Sequence, residues 1–555
     1  MRAANPPADA GLIAAQIEAS PGIDRVRALK NSFAAADPET VSAILDEAVR
    51  YAEDHIAPLG DVGDAQGCRL VDGRVLTAPG HKQSWEAFVA GGWPTLDLPE
   101  AEGGQGLPTA LAFAVQEVLD RHCPAFGMIP VPTRSAARMI AAFGEEGMKA
   151  NWLPKMASGE WVATICISEV EAGSDVMRMR SRAEKQADGS WSLTGEKQWI
   201  SFGDHDLTPM IGHCVLAKTD HPKGLSLFLV PSEIDGERNS IVVRRIEEKM
   251  GLHASPTCAL GFEGAKGWII GEEGRGLQQM FVMITNMRLA TGAQGLGIAS
   301  GAADLALGYA QDRRQGGQGP KPVVIAEHAD VQRMLLDMAA RVEVLRGLVI
   351  AASNQADLAA HETDADARDD AAALLQWLLP IVKTTGGEFA FDTASDAIQV
   401  LGGAGYTREW PAEQSLRDAR VLTIFEGTTG IQALDIVHRR VRRGDRRGLT
   451  RFLALARAEG NARLAETLDL LEDAATRLTA EEDMVAVDAG ATAFLHLAQS
   501  AATGWIAARL AGHDHKRLAA AGTHWLAGLT DRARLAHADA TRGKATVEDV
   551  EALLP

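Results

Sequence analysis

Phe425-Glu426-Gly427-Thr428-Thr429-Gly430, a short way after Gln399-Val400-Leu401-Gly402-Gly403-Ala404-Gly405-Tyr406, sets one carboxylate among residues small enough to let backbone approach a bound group. Far upstream, Ser168-Glu169-Val170-Glu171-Ala172-Gly173-Ser174-Asp175 and Gly195-Glu196-Lys197-Gln198-Trp199-Ile200-Ser201 supply hydroxyls, small residues and an indole. The apolar period changes between these stretches. Val41, Ile44, Leu45 and Val49, then Leu111, Val115, Val118 and Leu119, recur at helical spacing. From Trp161 the period falls toward two, in segments 161–168, 190–201, 213–218, 224–230, 241–246 and 257–262, parted by turns such as Asp188-Gly189 and Asp220 to Gly224. Long helices are expected again at 277–313, 328–360, 371–400 and 412–442, with a Gly/Pro interruption from Gly316 to Pro322. The expected fold is mostly α with a central β-barrel or sandwich. Its sections are an N-terminal extension (1–35), a helical domain (36–160), a β-barrel domain (161–275), a helical bundle (276–444) and an extra helical domain (445–555).

Composition agrees with this outline. The chain has 555 residues, 46% of them hydrophobic, and its abundant alanine favours helix. A formal charge of −19 disfavours nonspecific binding to nucleic acid or anionic membranes, whose phosphates it repels. Five scattered cysteines without a C-x-x-C pair point away from a disulfide framework or a zinc site, and toward a reducing compartment. Residues 1–20 lack a basic segment followed by an apolar run, and no apolar span reaches about eighteen residues. A soluble cytoplasmic protein with no integral membrane segment and no metal is the expectation.

Each chemical residue has two readings. Glu426 is either a general base or a charge at the N-terminus of the helix after it. Trp199 is either strand core or the flat partner of a cofactor. Arg313 either meets an anion or caps a helix end, and Arg288 either binds substrate or forms a salt bridge. The loop from Pro99 to Gly106 is either a tight turn or part of a substrate entrance.

Taken together and in order, from about Ser84 to Val437, these motifs resemble the acyl-CoA dehydrogenase family. The resemblance implies FAD as cofactor. Ile165, Ile167 and Ser168 would run along the flavin, Ser174 would meet its pyrophosphate and also lie near CoA, and Trp199, Ile200 and Ser201 would face its ring and reactive N5. Val170 stands where the family usually has proline, a difference in loop stiffness. Arg313, with Arg314 as the alternative register, would contact the FAD of a neighbouring subunit, as would Gln399, Gly402 and Gly403. The family's aromatic–glycine pair after that arginine is replaced here by Gln315-Gly316-Gly317. Glu426 would remove the α-proton of an acyl-CoA, its own N–H helping to hold the thioester oxygen and Gly427 lying against substrate. Thr428 and Gly430 would touch the flavin again, and Arg288 would lie near CoA. A buried carboxylate there would have a raised pKa.

The section beyond Gly444 resembles the tail of a longer bacterial branch that includes enzymes acting on short thioesters such as 3-methylthiopropionyl-CoA. The same resemblance implies a role in fatty acid metabolism, a homo-oligomer (dimer or tetramer), and electron-transferring flavoprotein as electron acceptor. Two rivals share the fold: an acyl-CoA oxidase that passes electrons to oxygen, and a DNA-binding flavoprotein. Arginines between His438 and Arg447 invite the latter. Residues 445–555, however, hold 16 acidic against 13 basic side chains, the opposite sign to a DNA-binding tail.

Overall fold

Alanine-rich segments with few β-branched runs fold as helices, and helices dominate the chain. The computed structural model describes residues 3–222 and 224–554. Met1 and Arg2 of the extension, Lys223 of the turn before the 224–230 segment, and Pro555 lie outside the described residues. Two compact units result: one holds the described residues within Met1–Leu45, Pro108–Glu117 and Thr291–Pro555, the other those within Asp46–Leu107 and Val118–Ala290.

The second unit contains a seven-stranded sheet. Trp161–Cys166 runs parallel to Met210–Lys218, which pairs antiparallel with Leu225–Pro231. Thr257–Ile269 pairs with Trp191–Ser201, with Leu225–Pro231 and with Ile241–Ile246. Arg182–Lys185 lies between Trp191–Ser201 and Met210–Lys218. Trp191, Leu193, Val215, Phe228, Val230, Leu260 and Phe262 fill the core between these strands. Every residue of Leu225–Pro231 is buried, which suits a strand covered on both faces. The strand at 257 runs seven residues further than its sequence suggests, because Gly264 at φ 79 forms a bulge that continues the ladder. The Pro99–Gly106 loop closes on itself: Gly104 N–H donates to Pro99, Gln105 to Thr95 and Gly106 to Leu98.

His81, on the helix His81–Ala90, is buried between the rings of Phe126 and Phe202. Burial pushes its pKa down to about 4 from the usual 6.5, against a weaker upward pull from Asp206. The folded imidazole therefore stays neutral while the unfolded one takes up a proton. Stability from this group is present above about pH 6.5 and is lost as pH falls toward 4. His81→Phe should flatten the decline of the thermal midpoint between pH 7.5 and 5; an unchanged decline would contradict this assignment.

The helix Gly276–Asp312 enters the first unit at Thr291, and Ala329–His361 and Ala365–Leu401 are long helices of that unit. Residues of the first from Thr291 onward pack on Ala365–Leu401 through glycines: a Cβ on Gly295 would lie 2.2 Å from the Gly386 carbonyl oxygen. The helix expected from 371 begins at Ala365, because Asp364 caps it by accepting from Ala367 N–H at 2.8 Å. The 412–442 helix does not form as one element. It breaks into Ala412–Ala419, a turn through Thr423, Thr429–Asp435 and a π-helical segment Ile436–Arg442. Residues 445–554 belong to this same unit. Trp377 meets Phe452 and Phe494, Phe389 meets Trp525, and a Cβ on Gly347 would lie 2.4 Å from Ile506.

A buried ionic cluster joins these parts. Arg346 donates to Glu117 from Nη2 at 2.7 Å and from Nε at 3.0 Å, and also meets Glu343. Arg517 bridges Glu343 at 2.9 Å and Asp304 at 3.1 Å, and Gln16 donates to the Glu343 carbonyl. Burial alone would oppose the Arg346 charge, but Glu117 and Glu343 hold its pKa above the usual value.

Candidate active site

Trp191, Leu193 and Lys197 of the Trp191–Ser201 strand point inward and are buried. Then the register slips: Lys197 pairs with Leu260 but Ile200 with Cys258, leaving Gln198 and Trp199 opposite one residue. Trp199 takes the left-handed φ of 64. Such a bulge moves all later side chains to the other face, so Ile200 enters the core while Trp199 stands 60% exposed. A bulky aromatic in this conformation costs about 1–2 kcal/mol, so the surrounding structure must impose it.

What imposes it lies beneath. Gln198 N–H donates to the Ser168 carbonyl at 2.9 Å. The fully buried Lys197 Nζ donates to the Ile167 carbonyl at 3.0 Å and to Glu169 at 2.8 Å. Glu169 also accepts from Arg180 N–H at 2.5 Å and Ser181 N–H at 3.1 Å. Burial works to raise its pKa, but Lys197 and these donors outweigh that and hold it below the usual range. The ion pair thus clasps both ends of the 168–181 loop. Ile165, Ile167, Ser168 and Ser201 are half-buried and Ser174 is exposed. Among the described residues the hydroxyls of Ser168, Ser174 and Ser201 make no hydrogen bond, and a Cβ on Gly173 would meet nothing within 4 Å. An exposed indole beside uncommitted hydroxyls suits a planar ligand with polar edges.

In the first unit, Glu426 at φ 54 and Gly427 at φ 87 form two successive left-handed residues. Thr428 then caps Thr429–Asp435 by accepting from Ile431 N–H at 3.3 Å. The cap role falls to Thr428, two residues beyond the carboxylate. Gln432 Nε2 donates to the Glu426 carbonyl at 2.9 Å, and Lys383 Nζ donates to the Gly427 carbonyl at 2.7 Å. Both side chains are fully buried. A Cβ on Gly427 would sit 2.8 Å from Gln432 Nε2. Gly427→Ala should therefore add about 1–2 kcal/mol of backbone strain, displace Gln432 and lower the thermal midpoint. A parent-like midpoint in that variant would contradict the constraint.

Apart from Arg288, the remaining expected residues fall at exposed positions in the first unit. Gln399 and Gly402 end the Ala365–Leu401 helix, and an added Cβ at Gly403 would meet nothing within 4 Å. Arg313 and Arg314 begin a small hairpin, with Arg314 bridging Val324 and Ile325 N–H donating to the Arg313 carbonyl. Thr428 and Gly430 are exposed beside Glu426. Arg288 lies half-buried in the second unit, on the helix Gly276–Asp312. Sequence reading missed Lys197, Lys383 and Gln432. A lone lysine directly after the apolar run Leu378 to Val382 was the available signal for Lys383.

Comparison with known proteins decides the family. Models of the N-terminal, middle and C-terminal domains of acyl-CoA dehydrogenase match residues 38–160, 164–265 and 274–441. The chain is 38% identical over 510 residues to 3-methylmercaptopropionyl-CoA dehydrogenase of Ruegeria pomeroyi, covering 87% of this chain and 86% of that one. The chain belongs to the acyl-CoA dehydrogenase family. It is 33% identical to the broad-specificity linear acyl-CoA dehydrogenase FadE5 of Mycobacterium tuberculosis, over 87% of this chain and 82% of that one. An acyl-CoA dehydrogenase structure from Bacillus anthracis has the same fold at 20% identity, with a TM-score of 0.73 over 93% of this chain and 90% of that one. As an acyl-CoA dehydrogenase, the protein is an oxidoreductase acting on acyl-CoA.

The arginine run of this acyl-CoA dehydrogenase is engaged within its own unit. Arg440 donates to Gln376 at 2.9 Å, Arg442 to the Glu481 carbonyl at 2.8 Å and Arg447 to Asp370 at 2.6 Å. Arg439 pairs with Asp435 at 3.3 Å. Among the described residues no three His, Cys, Asp or Glu side chains group as a metal site, and no helix is long and apolar enough to cross a membrane.

Proposed function

We propose that the protein catalyses FAD-dependent α,β-dehydrogenation of an acyl-CoA to its trans-2-enoyl-CoA, with Glu426 as the base. The observation that carries this reading is the Glu426–Gly427 turn, a carboxylate held in left-handed backbone by two buried donors. Bound FAD supplies a two-electron acceptor for the β-hydrogen, which leaves as hydride. Glu426 takes the α-proton, and its backbone N–H steadies the negative charge that develops on the thioester oxygen. Closing of substrate over this half-buried carboxylate raises its affinity for a proton.

The exposed Trp199 and the hydroxyls of Ser168, Ser174 and Ser201 fit a flavin ring and its polar edges, with Ile165, Ile167 and Ile200 supporting them. The Bacillus anthracis relative is described as complexed with FAD. Arg313, Gln399, Gly402, Gly403, Thr428 and Gly430 complete the cofactor contacts, and Ser174, Arg288 and Gly427 those of substrate. Contacts from Arg313 and from Gln399 to Gly403 are to the FAD of a neighbouring copy, so the enzyme is a homo-oligomer, a dimer in the simplest case. The exposure of these residues in the single chain supports that reading. The sections 1–35, 36–160, 161–275, 276–444 and 445–555 act as its domains. The pairings that link Arg182–Lys185, Trp191–Ser201, Thr257–Ile269, Leu225–Pro231 and Met210–Lys218 in turn support reading the third of these as a barrel.

The substrate is a short- or medium-chain thioester of the 3-methylthiopropionyl-CoA kind, a reading supported by the Ruegeria pomeroyi relative. Electrons pass to electron-transferring flavoprotein in a reducing cytoplasm, where five free thiols are stable. The test is an anaerobic titration of the purified protein with acyl-CoAs of increasing chain length. Flavin bleaching by short chains is expected; a protein that binds no FAD, or whose flavin no acyl-CoA reduces, would overturn the proposal.

A further inference from the structure

A charged side chain buried completely is costly unless something in the fold requires it there. Lys383 is such a side chain, on Ala365–Leu401 in a stretch otherwise made of Leu, Ile, Val, Pro and Thr. Its Nζ reaches the carbonyl one residue beyond the assigned base, at 2.7 Å. Gln432, buried on the helix that follows the turn, donates at 2.9 Å to the carbonyl of the base itself and at 3.4 Å to that of Gly427. The helix carrying Lys383 is fixed on both sides. Gly386 lies against Gly292 backbone, and a Cβ on Gly387 would lie 3.0 Å from the Leu422 carbonyl. Two consecutive left-handed residues, one of them not glycine, are thus locked by one cationic and one neutral donor from rigid helices.

We propose that Lys383 and Gln432 are positioning residues that hold the Glu426–Gly427 turn in its left-handed form, and so aim the Glu426 carboxylate at the substrate α-proton. This rests on Glu426 being the base. Neither residue touches substrate; each acts through the two peptide groups that follow Glu426. A charge-assisted bond is stronger than a neutral one, so Lys383 carries the larger share.

The test is anaerobic single-turnover flavin reduction, with Lys383→Met, Gln432→Leu, and each combined with Glu426→Gln. Misplacing a base by about 1 Å costs about 100-fold in rate, and Lys383→Met should approach that loss with acyl-CoA affinity and FAD content little changed. Gln432→Leu should lose less. Combined with Glu426→Gln, neither change should slow reduction further, because residues acting through one group are not additive. Hydrogen exchange should quicken in the 421–432 segment of the single variants and stay unchanged around Gly403. Parent-like reduction in both single variants, or a full additional loss in the Glu426→Gln background, would overturn the inference. If Lys383→Met fails to accumulate as folded protein, Gln432→Leu carries the same test. Failure of the parent itself to be reduced by any acyl-CoA would instead defeat the functional reading beneath it.

Discussion

Glu426→Gln should retain FAD, fold and acyl-CoA binding yet lose about 10³-fold in turnover, within the range a positioned general base contributes. The amide keeps the shape and the left-handed backbone but has no basic oxygen for the α-proton. Loss confined to kcat and kcat/KM, with unaltered thermal midpoint and flavin content, is the expected pattern. A variant turning over at the parent rate would reject Glu426 as base. Loss of FAD would instead mean that the turn is needed for cofactor retention.

The largest expected effect on stability is at Arg346. Replacing it by Met leaves Glu117 and Glu343 buried without their shared cation, a situation that typically costs about 3–5 kcal/mol. The uncompensated charge is then centred on Glu117, since Glu343 keeps Arg517 at 2.9 Å. The consequence reaches beyond one helix, because Glu343 also receives Arg517 from the C-terminal section and its carbonyl receives Gln16 from the N-terminal one. Arg346→Met should lower the denaturation midpoint and make residues 445–554 the first to become sensitive to protease. A variant that melts with the parent and resists protease equally would show that the cluster contributes nothing net.

The residues legible in the sequence are those whose meaning is local. Phe425 to Gly430 and Gly195 to Ser201 each lie on one short segment, and the change of period near Trp161 marks the start of the sheet. What escaped needs partners far away in the chain. The outward turn of Trp199 depends on a register slip against Cys258 and Leu260, which no single-strand pattern contains. Lys383 and Gly427 are 44 residues apart, and Arg346 and Glu117 are 229 apart. Arg182–Lys185 is mostly charged and exposed, so alternation gave no sign of a strand. The smooth helical period over 412–442 concealed the break at Ile424–Thr428. There a 3₁₀ turn ends, two residues become left-handed and a new helix is capped. That break is where the proposed chemistry sits, a case of function overriding local propensity.

The central claim is that a carboxylate at position 426 removes the α-proton of a thioester. It is tested most directly by anaerobic flavin bleaching with 3-methylthiopropionyl-CoA carrying protium or deuterium at C2. The account predicts bleaching that slows several-fold on deuteration at C2 and is all but abolished in Glu426→Gln. Bleaching that is indifferent to the isotope and survives that substitution would contradict it.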